Sequence, residues 1–285
     1  MLLLGAGPRA LLLQIAHPLV AAGVAEHSDF QADPWSRLAA TLRSYLRIVY
    51  GRAESARGEI RRLNQLHRGI AGEVRDDSTR ARFGGRYEAR DPELSLWVHA
   101  TLVDSTIATY GAWIGPLSAG RRARYYEETI PIGRAFGIPA ELLPADVGAF
   151  EAYVEGMLRP GGSLAIGETA RALADTILRP PLAPAVRPWL GELAGRLDAV
   201  PAAAYEWLMW PALGLLPPSV RAGYGLRWGL RERLVAAWLV ATWRAWRPIL
   251  PAGFRQMPQA LAADRRIGAL PGGLDLDGDL DRLAG

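Results

Sequence analysis

The sequence predicts an all-α fold, a single helical domain of roughly ten helices, on three observations. Apolar residues recur at helical spacing through most of the 285 residues. No stretch alternates apolar and polar positions between hairpin turns. Proline and glycine fall where one periodic stretch gives way to the next. Half of the residues are hydrophobic and 22% are charged, which is enough for a large buried core.

Taken in order, Pro8 suits a first helical position, and residues 9–16 read as a buried helix that stops at His17-Pro18. A short helix over 18–26 follows. Asp33-Pro34 pairs an N-cap with a proline at the first helical position. It opens a helix that reaches Tyr50, closes on Gly51 and carries the stripe Leu38, Leu42, Tyr45 and Val49. The next helix spans 53–71, and the glycine-rich segment 82–86 allows a small turn or a short strand. Asp91-Pro92 repeats the cap signal for a helix to Tyr110, and residues 118–136 form another that ends at Gly137. Helices over 145–158, 163–178 and 181–198 are divided by Pro160-Gly161-Gly162 and Pro180-Pro181. Stretches 201–215 and 218–246 complete the pattern, the latter with Trp238, Trp243 and Trp246. Residues 250–285 read as a loosely ordered tail of one domain that covers the whole chain.

Composition excludes several function classes. Without cysteine there is no disulfide framework, iron–sulfur cluster, thiolate zinc site or cysteine nucleophile. All 33 basic residues are arginine, so lysine Schiff-base chemistry and a P-loop are excluded too. The net charge of +4 is modest and the arginines are dispersed among acids, which argues against nucleic acid as a partner. Arg9, His17 and Pro18 interrupt the apolar run 1–24, so it is neither a signal peptide nor a transmembrane segment, and a soluble, cytoplasmic protein is expected. The abrupt start at Met1-Leu2-Leu3-Leu4 suggests that helical context precedes it. A chain this apolar is compatible with a homodimer.

All four histidines, His17, His27, His67 and His99, fall in the first 99 residues, so any nitrogen ligand comes from that third. His67 shares a helical face with Ile60, Leu63 and Ile70, and His99 with Leu96, Val103, Ile107 and Tyr110. A buried neutral imidazole needs a partner, whether a backbone carbonyl, a carboxylate or an iron. Spacing alone leaves the ordinary core histidine as the commoner case. Arg37 and Thr41, four apart, project from one side of their helix and could together hold a carboxylate or an oxygen-derived ligand; taken alone, the spacing favours a surface arginine beside a helix-interior threonine. Asp104, inside an apolar helix, requires either a histidine or an arginine. His17 sits in a helix break, His27 at a solvated helix end, and the tryptophans suit a core or an interfacial belt. The Gly-x-Ser-x-Gly, His-Glu-x-x-His, Glu-x-x-His and Cys-x-x-Cys-His motifs are all missing, and Gly5-Ala6-Gly7 follows no strand.

Four ordered motifs carry a resemblance. They are Gly7-Pro8-Arg9-Ala10-Leu11-Leu12-Leu13-Gln14-Ile15-Ala16-His17-Pro18 with His27-Ser28-Asp29-Phe30, then Asp33-Pro34-Trp35-Ser36-Arg37-Leu38-Ala39-Ala40-Thr41, Leu66-His67-Arg68-Gly69-Ile70-Ala71-Gly72 and Leu96-Trp97-Val98-His99-Ala100-Thr101-Leu102. In this order and spacing the chain resembles the MpaB / rubber-oxygenase (latex-clearing protein) catalytic domains, clearly over about residues 5–160. The resemblance implies an apolar pocket for a non-covalent haem b and oxidation, including C=C cleavage, of apolar isoprenoid-like substrates with dioxygen. It places the iron ligand at His67, with His99 as the alternative, and the distal arginine and threonine at Arg37 and Thr41. Arg37, His17 and His99 join His67 as candidate cofactor contacts. The distal lysine of some members falls at Ala40, so that ligand is missing, as is the membrane anchor of the fungal members. A non-catalytic haem or lipophilic-ligand binding protein is the rival reading, and a metal-free helical protein the third.

Overall fold

In the computed structural model, which describes residues 2–28, 34–159, 161–179, 200 and 206–268, the apolar N-terminal run is one helix, α1 (Leu2–Ile15). Pro8 lies inside it, not at its first position. Proline there removes one backbone hydrogen bond, and packing against a later helix, α6 (Pro92–Trp113), outweighs that loss. Gly5 allows the approach, since a Cβ on it would lie 2.6 Å from Thr109 Cγ2 and 3.1 Å from Trp113 Nε1. At His17-Pro18 the chain bends by 104° into α2 (Pro18–His27). The Ala16 carbonyl at the bend accepts from the Ala165 amide at 3.0 Å.

The hairpin α3 (Pro34–Tyr50) and α4 (Ala53–His67) turns at Gly51 as the sequence predicts, although its capping Asp33 is outside the described residues. α4 ends four residues earlier than the pattern indicates, and Ala71 begins a strand. That strand, β1 (Ala71–Glu73), pairs antiparallel with β2 (Arg86–Glu88), with the short helix α5 (Asp77–Phe83) between them. Tyr87 of β2 ties this small sheet to α2, its hydroxyl donating to Glu26 Oε2 at 2.5 Å.

Asp91 caps α6 by accepting from the Glu93 amide at 2.8 Å, and α6 continues to Trp113, three residues beyond the predicted end. α7 (Ala119–Ala135) starts on its Ser118 cap and gives way to Gly137 at φ +87°. α8 (Val147–Leu158) and α9 (Glu168–Leu178) follow; the expected helix over 181–198 lies outside the described residues. After a 3-10 turn (Glu206–Met209) come α10 (Trp210–Gly214), α11 (Pro218–Gly223) and α12 (Leu230–Trp246). The predicted single helix 218–246 is thus broken, at Gly225 with φ +67° and at Gly229. Two short helices, α13 (Ala252–Arg255) and α14 (Pro258–Arg266), occupy the start of the predicted loose tail. Fourteen α-helices and one two-stranded sheet make the described molecule all-α in class.

The main core joins Leu12, Leu13 and Ile15 of α1 and Ala16 at the bend to Trp97 of α6, Leu173 of α9, Trp210 of α10, Val220 of α11 and Ala236 of α12. No single described helix is long and apolar enough to cross a membrane, and the bent pair α1–α2 that approaches this length contributes to the core. Polar groups lace the α1–α6 contact. Gln14 donates to Thr101 Oγ1 at 3.1 Å and Trp97 Nε1 to the Leu13 carbonyl at 3.1 Å. Arg9 pairs with Asp104 at 2.6 Å and donates to Ser105 Oγ at 2.9 Å, so the partner that Asp104 requires is an arginine.

Asp104→Asn leaves the Arg9 charge buried without its counter-ion and is expected to cost about 3–5 kcal/mol of stability, read as a fall in the urea midpoint. Gly5→Ala must push Thr109 aside, and a loss of about 1–3 kcal/mol is expected in the same assay. An unchanged midpoint in either variant would show that the α1–α6 contact relaxes freely.

Candidate functional site

The α3–α4 hairpin brings the predicted residues together by register. Ser44 Oγ donates to Glu59 Oε1 at 2.7 Å, which fixes residues whose numbers sum to 103 opposite one another. Arg37 and His67 sum to 104, so the start of α3 lies level with the end of α4. The charge of Arg37 acts on the His67 imidazole accordingly. Burial first, and then that guanidinium, hold His67 below the ordinary histidine range, so the ring is neutral at pH 7 with a free lone pair. Thr41 Oγ1, one turn after Arg37, donates back to the Arg37 carbonyl at 3.0 Å. Its hydroxyl proton is therefore committed to the helix, leaving oxygen lone pairs free to accept.

Glu59 is the residue that holds this hairpin shut, and its role is not visible in the apolar pattern. Buried on α4, it accepts from Arg62 at 2.6 Å, from Ser44 at 2.7 Å and from Arg47 at 2.9 Å. These bonds, Arg62 foremost, pull its carboxyl down to about 2. At the other end of α4, Asn64 Nδ2 donates to the Ala135 carbonyl at 2.9 Å and pins the turn before His67 to the end of α7. The open end of the hairpin is apolar as well as cationic. Leu38 is 41% exposed and Leu66 47%, so the predicted α3 stripe is only partly covered.

His99 and His17 lie elsewhere. His99 projects from α6 onto α7, where its Nε2 is buried without a partner and a Cβ on Gly133 would come within 3.4 Å of it. Burial alone pushes this imidazole down to about 4. His17 stands at the α1–α2 bend with Nδ1 buried and unpartnered, its ring edge-on to Phe83 at 5.7 Å. Burial lowers it to about 4, opposed by the Asp91 carboxylate. His27 Nε2 donates to the Ala71 carbonyl, 3.2 Å away, at an exposed helix end.

Two clefts are prominent. One of about 390 Å³ is bordered by Asp104, Glu151, Val154, Glu155, Leu158 and Arg159; the other, of about 210 Å³, adjoins it at Leu158 and Arg159. Neither is lined by His17, His67 or His99. Nor do the described residues gather three or more His, Asp or Glu side chains into a metal cluster. A bare ion held by protein ligands has no site there. A haem iron asks less of the protein, namely one neutral imidazole, a cation for its carboxylates and apolar contact. The end of the α3–α4 hairpin offers each of these in His67, Arg37, Leu38 and Leu66.

Because His17 and His99 titrate near 4 in the fold and near 6.5 when unfolded, the unfolded chain binds more protons between these values. Their stabilising contribution is complete above pH 6.5 and is lost as the pH falls toward 4, by up to roughly 3 kcal/mol for each. Below that, Glu59 adds a second loss from pH 4.5 down to about 2, when its carboxylate takes up a proton. Urea midpoints measured from pH 7 to pH 4 are expected to fall steeply, and His99→Leu to flatten the slope. A pH-independent midpoint over that range would contradict the buried neutral imidazoles.

Comparison with known proteins identifies the family of the chain. Residues 1–245 match the family described as ER-bound oxygenase mpaB/B'/rubber oxygenase, catalytic domain. Uncharacterized proteins of Mycobacterium bovis and Mycobacterium tuberculosis are each 26% identical over 247 residues, covering 85% of this chain and 87% of theirs. No solved structure matches the chain. The match extends from α1 into α12 and takes in both arms of the hairpin that carries Arg37 and His67, and the chain belongs to the MpaB/rubber-oxygenase catalytic-domain family.

Proposed function

We infer that this protein is a haem b-dependent oxygenase acting on an apolar, unsaturated, isoprenoid-like substrate. The observation that carries the reading is the juxtaposition of Arg37 with a neutral His67 at the open, leucine-bearing end of the α3–α4 hairpin, in a chain of an oxygenase family. When bound, haem b would supply the dioxygen chemistry that amino-acid side chains alone do not provide.

The side chains divide the remaining work. His67 offers the imidazole nitrogen that holds the iron, kept unprotonated by burial and by Arg37. Arg37 is a permanent cation with forked donors, suited to a propionate or to oxygen atoms that gain charge during the reaction. The threonine at 41 fixes the local turn through the Arg37 carbonyl and presents oxygen lone pairs as an acceptor. Leu38 and Leu66 give an alkene chain apolar surface to lie against and exclude water from it. None of these groups is a general acid at neutral pH. That suits cleavage of a C=C bond by dioxygen into two carbonyl fragments, in which no proton need be supplied.

Protein expressed with a haem precursor is expected to show a Soret band that shifts on reduction and again on carbon monoxide. His67→Ala should lose it and His99→Ala keep it; the opposite result moves the ligand to His99. Arg37→Leu should retain haem while oxygen uptake with an isoprenoid alkene falls by on the order of a hundredfold. No Soret band after haem titration would overturn the reading. A Soret band without oxygen uptake on any alkene would leave a haem-binding protein in place of an oxygenase.

A further inference from the structure

Helix α12 is apolar on both of its sides. Its inner side packs Val235 and Ala236 into the main core. Opposite them, at steps of three and four residues, Leu230, Leu234, Ala237, Trp238, Ala241 and Ala245 form a continuous outward stripe. Leu230, Leu234 and Trp238 are 73%, 60% and 62% exposed. Isolated exposed leucines are ordinary in a folded protein, but a full-length helical stripe is not. Trp246 and Ile249 are exposed where the helix ends, and Phe254 on α13 is exposed beyond them.

Arginines frame the stripe. On a helical projection Arg231 lies on one flank and Arg233 and Arg244 on the other, all exposed. Between Leu230 and Gly268 there are seven arginines against two acids, a local charge of +5 where the entire chain carries +4. One of the two acids, Glu232, is engaged at the helix start, accepting from the Gly229 amide at 2.7 Å. Arg244 reaches the Gly111 carbonyl at 3.0 Å and Arg231 stacks over Trp210, and both contacts leave the charge uncancelled.

This pattern distinguishes among possible covers for the face. A second copy meeting it across a two-fold axis would set +5 against +5 around the apolar centre. An anionic phospholipid surface complements both features at once. Its phosphates meet the flanking guanidiniums, its acyl boundary receives the leucines, and tryptophan favours the layer between. We propose that the outer face of α12 is a membrane-docking surface on which the protein lies flat on an anionic phospholipid bilayer, with Leu230, Leu234 and Trp238 in the interface and Arg231, Arg233 and Arg244 among the headgroups. The docking is independent of haem and of the oxygenase reading.

The test is flotation of the full chain with vesicles of phosphatidylcholine containing about one-third phosphatidylglycerol, against vesicles of phosphatidylcholine alone, at low and high salt. Binding to the anionic vesicles, weakened by salt and at least tenfold weaker to neutral ones, is expected. Leu234→Glu with Trp238→Glu should abolish it; Arg231→Gln with Arg233→Gln should reduce it and its salt dependence. All four side chains are exposed, so the helical circular dichroism of both variants should match the parent, with the melting temperature lowered by no more than a few degrees where the Arg231 stack on Trp210 is lost. Failure to float with anionic vesicles, or equal flotation with both compositions, overturns the proposal. So does a dimer in sedimentation velocity that Leu234→Glu with Trp238→Glu dissociates, since the face would then belong to a second copy.

Discussion

A single buried guanidinium sets the frame of this molecule. Arg9 sits in the otherwise apolar helix α1 and is only 5% exposed, so each of its N–H groups has to find an acceptor inside the protein. It finds the Asp104 carboxylate at 2.6 Å, Ser105 Oγ at 2.9 Å and the Leu215 carbonyl at 2.8 Å. Three stretches far apart in sequence are thereby held to one rigid, planar fork. An apolar contact between α1 and α6 alone could slide by a turn at small cost. A fork that must match a carboxylate, a hydroxyl and a carbonyl admits one register. The other α1–α6 bonds, from Gln14 to Thr101 and from Trp97 to Leu13, repeat that register along the helices.

The α3–α4 hairpin is attached to this frame rather than built into it. Its own two arms are joined by buried Glu59, and it meets the rest through Tyr45 bonded to Thr106 of α6, Asn64 on the α7 end and Arg266 on the Tyr50 carbonyl, among other contacts. That separation has a chemical use. The core can be closed and continuously apolar, while the hairpin keeps a cation, an imidazole and uncovered leucines at one open end. Two helices whose relative register is clasped by Glu59 hold Arg37 level with His67 without requiring a loop to be ordered, which is the arrangement the proposed haem site needs.

Much of this was legible in the sequence, and the gaps have physical causes. Caps and stops are local chemistry, so Asp91-Pro92, Ser118 and Gly137 mark element ends within a few residues of where they lie. Packing is not local. Pro8 reads as a helix start only if the helix is judged alone; pressed against α6 through Gly5, the same residue is tolerated inside. Gly225 and Gly229 look like tolerated glycines in a long apolar run, yet they break it, because Arg221 turns back onto the carbonyls of Leu213, Gly214 and Leu216 and fixes the chain there. Arg37, Thr41 and His67 were reached from helical spacing and family resemblance, and the Gly51 turn makes their proximity a matter of counting. Glu59 was not, since a lone acid in a charged helix carries no sign that it is buried. An apolar pocket around the histidines is implied by the family resemblance, and helical spacing puts His67 and His99 on apolar faces; neither says how much of such a face stays uncovered.

That last point bears on the hydrophobicity of the whole chain. A content of 50% hydrophobic residues reads as material for a core, and the main cluster around α1 uses a large part of it. Smaller clusters use more of it, but some apolar side chains among the described residues stand outside, notably at the open end of the α3–α4 hairpin beside Arg37 and along α12 between Arg231, Arg233 and Arg244. Selection for stability in water alone would not leave a tryptophan and two leucines in line on an exposed helix, because each lowers solubility and adds nothing to the packing beneath. Apolar groups kept outside a well-filled core are best explained by what they meet in use. On the docking proposed above, the apolar face of α12 and its arginine edge form one device for meeting a lipid surface, and the leucine-bearing end of the α3–α4 hairpin is a second apolar surface left outside the core.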